Sequence, residues 1–274
     1  IDNPFFQNMI KVFEEEIQSR KYSFILHRVD TNQDEVEVAL ELIKEKRLKG
    51  IVFLGGNFAR QGDKLKEIEV PFILSTIAMS DNVDKNLYSS VCVDDRKESE
   101  KAVKFLCDKG HKKIAVLAAG KSDQSISKLR IEGYRNALKS KGIDINEKLI
   151  RHTKNNENIQ VMENGYKLMK ELLESEEEFT AVYAVSDSMV IGASKAILES
   201  GKKIPEDYSI MGFDGLDISY YYNPSISTIR QPVEDMAKET SEILFNLIEN
   251  NAYNSHKIFE GELLVRQSIA RLNK

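Results

Sequence analysis

Cysteine is scarce: only Cys92 and Cys107 occur in 274 residues. They are too few and too far apart for a disulfide framework, which fits a reducing compartment. Long apolar runs are missing as well. Nothing reaches the ~18 residues of a membrane helix, and no signal-peptide pattern is legible. Positive charge is in deficit, with 39 Lys and Arg against 44 Asp and Glu, a formal −5. Gripping a phosphate backbone takes a basic surface, so any nucleic acid contact belongs to another segment. With 14 glycines, 5 prolines, 41% hydrophobic and 30% charged residues, the composition is globular rather than disordered. The length suits one large domain or two ordinary ones.

Catalytic motifs are also wanting. The stretch AVLAAGKS (115–122) approaches a phosphate loop, but Ala115 stands where the first glycine is required. There is no G-x-S-x-G elbow, and no G-x-G-x-x-G after a strand. His27, His111, His152 and His256 are isolated from one another and from both cysteines, so neither metal nor cofactor is expected. The acidic runs Glu14–Glu16 and Glu176–Glu178 read as solvated helix faces. Asp94-Asp95 suggests a carboxylate pair, but a strand end followed by a helix N-cap explains it at least as well. The chain reads as a binder.

What is present is alternation. Apolar strand candidates are Tyr22–Val29, Gly50–Leu54, Val70–Leu74, Ser90–Val93, Lys113–Ala118, Phe179–Val185, Tyr208–Phe213 and Ile226–Ile229. Amphipathic stretches separate most of them. Phe5, Met9, Phe13 and Ile17 form one stripe, and Val36, Leu40 and Ile43 another. Asn3-Pro4 reads as an N-cap with proline at the first helical position, and Gly201 as a residue just past a helix end. Strand–helix alternation of this kind predicts parallel sheets with helices on both faces. Turn-rich stretches near 77–89 and 119–127 split it into two series, hence two doubly wound α/β lobes with a cleft at their strand ends. A helix starting at residue 4 should follow a strand, which is expected just upstream.

Several stretches resemble the lactose-repressor (LacI/GalR) family of transcriptional regulators. They are VDDRKESEKAVKFLCDKGHKKIAVLAAG (93–120), RIEGYRNAL (130–138), FTAVYAVSDSMVIGASKAILESGKKIPEDYSIMGFDG (179–215), NPSISTIRQPVEDMAKE (223–239) and ELLVRQS (262–268). NPFF and GFDG also resemble sugar-binding proteins of bacterial transport, which share the core fold. The resemblance implies a type I periplasmic-binding-protein-like architecture, two lobes joined by three crossovers. These fall near Asp94, Ile229–Arg230 and Lys257–Phe259. The N-terminal lobe is then 1–93 plus 230–257, and the C-terminal lobe 94–229 plus 258–274. The resemblance further implies a small effector, a sugar or sugar derivative, and a homodimer in the cytoplasm without membrane contact. Operator DNA would be read by an upstream helix-turn-helix headpiece of roughly 60 residues.

Sugar rings present apolar C–H faces and hydroxyl edges, so their sites combine aromatic area with planar polar groups. Phe5 and Phe6 match the family's stacking aromatics, although Phe5 also lies on the apolar stripe with Met9. Asn3 can cap its helix and still offer an amide. Arg130, three residues before Gly133, matches a guanidinium facing ligand hydroxyls; a surface arginine at a helix start is the plainer alternative. Asp214 matches a carboxylate that accepts from two hydroxyls, where a turn-forming Asp before Gly is the competing reading. Gln231, Ser186, Tyr183 and Gln160 line up with positions that contact effector, and Asp187 is read as a helix cap. Pentose-binding relatives carry an Asp-Arg pair where this sequence has Thr76 and Ile77, which turns the expectation from a ribose-like sugar towards a disaccharide or sugar phosphate. Purines act as effectors in the family too. The competing functions are an extracytoplasmic sugar-binding protein of a transport system and an enzyme on a doubly wound fold, for which no base or nucleophile stands out.

Overall fold

The computed structural model describes residues 3–30, 33–56, 63–79, 83–120, 126–154 and 161–272. The chain forms two compact units. The first draws on Ile1–Val93 and Pro232–Phe259, and the second on most of Asp94–Gln231 and on Glu260–Lys274.

The first unit opens with α1 (Pro4–Ser19). The Asn3 side chain accepts from Phe5 N at 3.0 Å, and Pro4 occupies a position whose N–H would have no helical partner. Phe5, Met9 and Phe13 are buried, as their spacing predicts. Asp34 caps α2 (Glu35–Lys46), which buries Val36 and Ala39. Then come β1 (Ile51–Leu54), β2 (Phe72–Ser75) and β3 (Ser89–Val93).

The second unit runs α3 (Asp95–Asp108), β4 (Ile114–Ala118), α4 (Ile126–Ser140), β5 (Ile150–His152), α5 (Met162–Leu173), β6 (Ala181–Ala184), α6 (Asp187–Glu199), β7 (Ser209–Asp214), α7 (Asp217–Tyr221) and β8 (Ser227–Arg230). The chain returns to the first unit for α8 (Val233–Asn250) and β9 (His256–Phe259), then adds β10 (Glu262–Leu264) to the second. The first sheet has the order β1-β2-β3-β9, all parallel. The second has the order β10-β8-β7-β6-β4-β5, parallel except for β10. Gly201 sits past α6 with φ of +78°, where a side chain would be strained.

Seven of the eight strand candidates are strands to within two residues. Tyr22–Val29 is not: among the described residues no strand pairs with it, and Ile25 and Leu26 stay about half exposed. β5, β9 and β10 were not expected from the sequence. Each is three or four residues long, and β9 is mostly exposed at a sheet edge, so none shows an alternating pattern. Glu176–Glu178 lie in the loop before β6 rather than on a helix. There Glu177 pairs with Lys148 at 2.9 Å, and Glu178 with Lys113.

Parallel strands leave all their carboxyl ends on one edge of each sheet, and helix contacts fix what collects there. A Cβ on Gly192 would lie 1.8 Å from Met162 O, and one on Gly165 1.9 Å from Met189 O, so α5 and α6 touch backbone to backbone. Gly192→Ala should therefore destabilise the second unit by about 1–3 kcal/mol, read as a lower urea midpoint. An unchanged midpoint would contradict this packing.

Candidate functional site

In the second unit Gly133 brings α4 against α3. A Cβ there would meet Arg96 O at 2.3 Å. One turn earlier on α4, Arg130 is thereby carried inward and is 1% exposed. Its Nε donates to Asp95 Oδ1 at 2.7 Å, and its Nη1 to Val185 O at 2.5 Å and Asp214 Oδ1 at 3.3 Å. The guanidinium carbon lies 3.7 Å from the centroid of the Phe213 ring. Nη2 makes no bond to another described residue. A surface arginine is thus the wrong reading, because the tight Gly133 contact turns this helix face inward.

Asp214 ends β7 with φ of +115°, followed by Gly215 at +77°. Its Oδ1 also accepts from Gln231 Nε2 at 3.0 Å, and its carbonyl from Gln231 N at 3.2 Å. Its Oδ2 is buried without a hydrogen-bond partner. An orphaned carboxylate oxygen is costly, and a ligand hydroxyl would remedy it. Ser186 caps α6 by accepting from Met189 N at 3.3 Å, which leaves its own proton to donate. Asp187 is not that cap: its carboxylate accepts from Thr228 Oγ1 and Leu216 N, both at 2.7 Å, and so holds the turn after β7. The Tyr183 hydroxyl is occupied by Ser99 Oγ at 2.6 Å and the whole residue is buried.

Two carboxyls, Asp95 and Asp214, thus flank one guanidinium, with Asp187 near enough to Asp214 to act on it. Burial pushes Asp214 up to about 7, with Arg130 opposing the shift and Asp187 adding to it. Burial likewise raises Asp187 to about 6, against its hydrogen bonds, and raises Asp95 against the pull of Arg130. Arg130 is held above its ordinary value because its two carboxylate partners outweigh its own burial, which pulls the other way.

At the strand ends of the first unit, the half-buried Phe6 ring covers Gly55, where a Cβ would lie 2.8 Å from its Cζ. Phe5 is buried, its ring meeting that of Phe6 edge-on at 5.4 Å. Asn3 spends its carbonyl oxygen on the cap. Thr76 follows β2 with φ of +56°, and its hydroxyl is buried and unpartnered. Gln160 lies outside the described residues. The structure therefore gathers Arg130, Asp214, Gln231 and Ser186 in one unit, and Phe6 and Thr76 in the other. Asp95 was missed by sequence reasoning, because a carboxylate at a helix start looks like capping; no sequence signal set it apart.

Residues 103–269 match the periplasmic binding protein-like domain family. The chain is 38% identical over 97% of its length to the HTH-type transcriptional regulator MalR of Clostridium butyricum, spanning 78% of that protein. A LacI family transcriptional regulator from Enterococcus faecium, solved with bound ribose, is 26% identical and superposes with a TM-score of 0.83 over 100% of this chain and 97% of that one. The chain belongs to the LacI family of transcriptional regulators. As a LacI-family chain it supplies the effector-binding core. Another solved relative of this LacI-family core is a CelR–cellobiose complex, 25% identical with a TM-score of 0.84 over 97% of this chain and 79% of that one.

The sign of the pH dependence follows from Asp214. With its pKa raised from 3.8 to about 7, the folded state holds a proton that the unfolded state has released between those values. Stability should therefore fall as pH rises from about 4 to about 7. Asp214→Asn should flatten that slope in urea titrations, leaving the part due to Asp187. A variant with the wild-type slope would contradict the assignment.

Proposed function

We propose that this core binds a sugar at the carboxyl ends of its strands and converts binding into a change in operator affinity. The observation that carries the reading is the unpartnered Oδ2 of Asp214 beside a guanidinium with one amine untied. A carboxylate acceptor and a planar donor side by side are what a pair of sugar hydroxyls requires. Gln231 and Ser186 extend the polar surface in the second unit, and by resemblance to the family Phe6 of the first unit is a stacking aromatic. Phe5 and Asn3 serve mainly to set Phe6, Tyr183 supports from beneath, and Thr76 takes the place of the pentose clamp. Gln160 is a further contact by resemblance. That relatives have been solved with ribose and with cellobiose supports a sugar as effector.

The ligand works by linkage: it shifts a conformational equilibrium only by its differential affinity for the two states. DNA contact falls to a helix-turn-helix headpiece, the chain acts as a homodimer in the cytoplasm, and it catalyses nothing. Exposed Ile218, Tyr220, Tyr221 and Val265 on the second unit support a face for the second copy. Among the described residues no helix is long and apolar enough to cross a membrane.

Arg130→Lys keeps the buried charge but loses the planar fork. It should weaken sugar binding about tenfold or more in calorimetric titration while the core stays folded. Phe6→Ala should weaken it by a similar factor through lost stacking. Wild-type affinity in both variants would overturn this site.

A further inference from the structure

We infer that Asp95 is a positioning residue for the site in the second unit, and that through Asp95 the start of α3 links ligand contact at Arg130 to the places where the chain passes between the two units. The inference rests on the sugar-binding function proposed above and concerns how that site is regulated.

Chain connectivity carries it. The chain passes between the units at Val93–Asp94, Gln231–Pro232 and Phe259–Glu260. Each of these passages lies a short bonded route from the buried pair of Arg130 and Asp214. Asp95 follows the first passage, is 4% exposed, and accepts on Oδ1 from Arg130 Nε at 2.7 Å. Gln231, at the second, donates from Nε2 to Asp214 Oδ1 at 3.0 Å. The third is held by α3 as well. Lys97 Nζ donates to Glu260 Oε1 at 3.0 Å, and Lys101 Nζ to Gly261 O at 2.8 Å.

The first turns of α3 are built to hold these contacts together. Asp94 does the capping: its Oδ1 accepts from Lys97 N at 3.0 Å and its carbonyl from Glu98 N at 2.9 Å. That frees the Asp95 carboxylate for Arg130. Glu98, 1% exposed, pairs with Lys101 at 2.6 Å, and a Cβ on Gly261 would lie 2.9 Å from its Oε2. One turn beyond Asp95, Ser99 Oγ bonds to Tyr183 Oη at 2.6 Å. A ligand that draws on Arg130 therefore loads Asp95, and with it the helix turn to which two of the passages are fastened. Packed and hydrogen-bonded routes of this kind carry coupling when both ends bias the same element.

A double-mutant cycle tests the positioning role. The core is titrated calorimetrically with cellobiose and with ribose as wild type, Asp95→Asn, Arg130→Lys and the double variant. Asp95→Asn keeps the shape and gives up the charge, and should weaken sugar binding about tenfold. Because Asp95 acts through Arg130, the same change should cost about twofold or less once Arg130→Lys is present. Losses that multiply, or no loss in Asp95→Asn, would overturn the role while leaving sugar binding intact. Hydrogen exchange at saturating sugar reads the link to the chain passages. Sugar should slow exchange of the amides of residues 94–98 in wild type, and Asp95→Asn should remove that protection while keeping it at Gly215 and Leu216. Protection of 94–98 that persists in Asp95→Asn, or is absent from wild type, would overturn the link. Absence of binding by both sugars in wild type would contradict the sugar reading itself, and this inference with it.

Discussion

The burial of Arg130 is the constraint on which the second unit's chemistry depends. A guanidinium removed from water costs several kcal/mol unless its donors are met, and here they meet Asp95 on α3, the carbonyl of Val185 after β6, and Asp214 at the end of β7. The Phe213 ring closes one of its faces. Three separate stretches of chain are thus fixed by one side chain. A buried pair of this kind is weak evidence for stability, since apolar residues of similar size often do as well. Its value lies in holding a charged donor and a charged acceptor in fixed relation before any ligand arrives, which spares the cost of ordering them on binding.

Two backbone features make that arrangement possible. Gly133 lets α4 approach α3 closely enough for Arg130 to reach Asp95. Asp187, through Leu216 N and Thr228, ties the turn after β7 to β8 and so fixes where Asp214 stands. Neither residue need touch a ligand. Burial raises the Asp214 carboxyl to about 7, and the neighbouring Arg130 opposes that shift.

Much of this was legible in the sequence, for identifiable reasons. Buried parallel strands are continuous apolar runs, so IAVLA, AVYA and SIMGFD stand out. Arg130 and the Asp214 of GFDG stand out through the family resemblance rather than through spacing, and the structure buries the two against each other. Less could be read where a role is set by tertiary contact alone. Asp95 looks like any acidic helix start until Arg130 is seen against it. Tyr22–Val29 has strand composition, but pairing requires a neighbour as well as propensity.

The most direct test is a crystal structure of this core with cellobiose. The account predicts a ligand hydroxyl within hydrogen-bond distance of Asp214 Oδ2, with Arg130 Nη2 donating to the same ring. A sugar bound elsewhere, with Oδ2 still unpartnered, would contradict it.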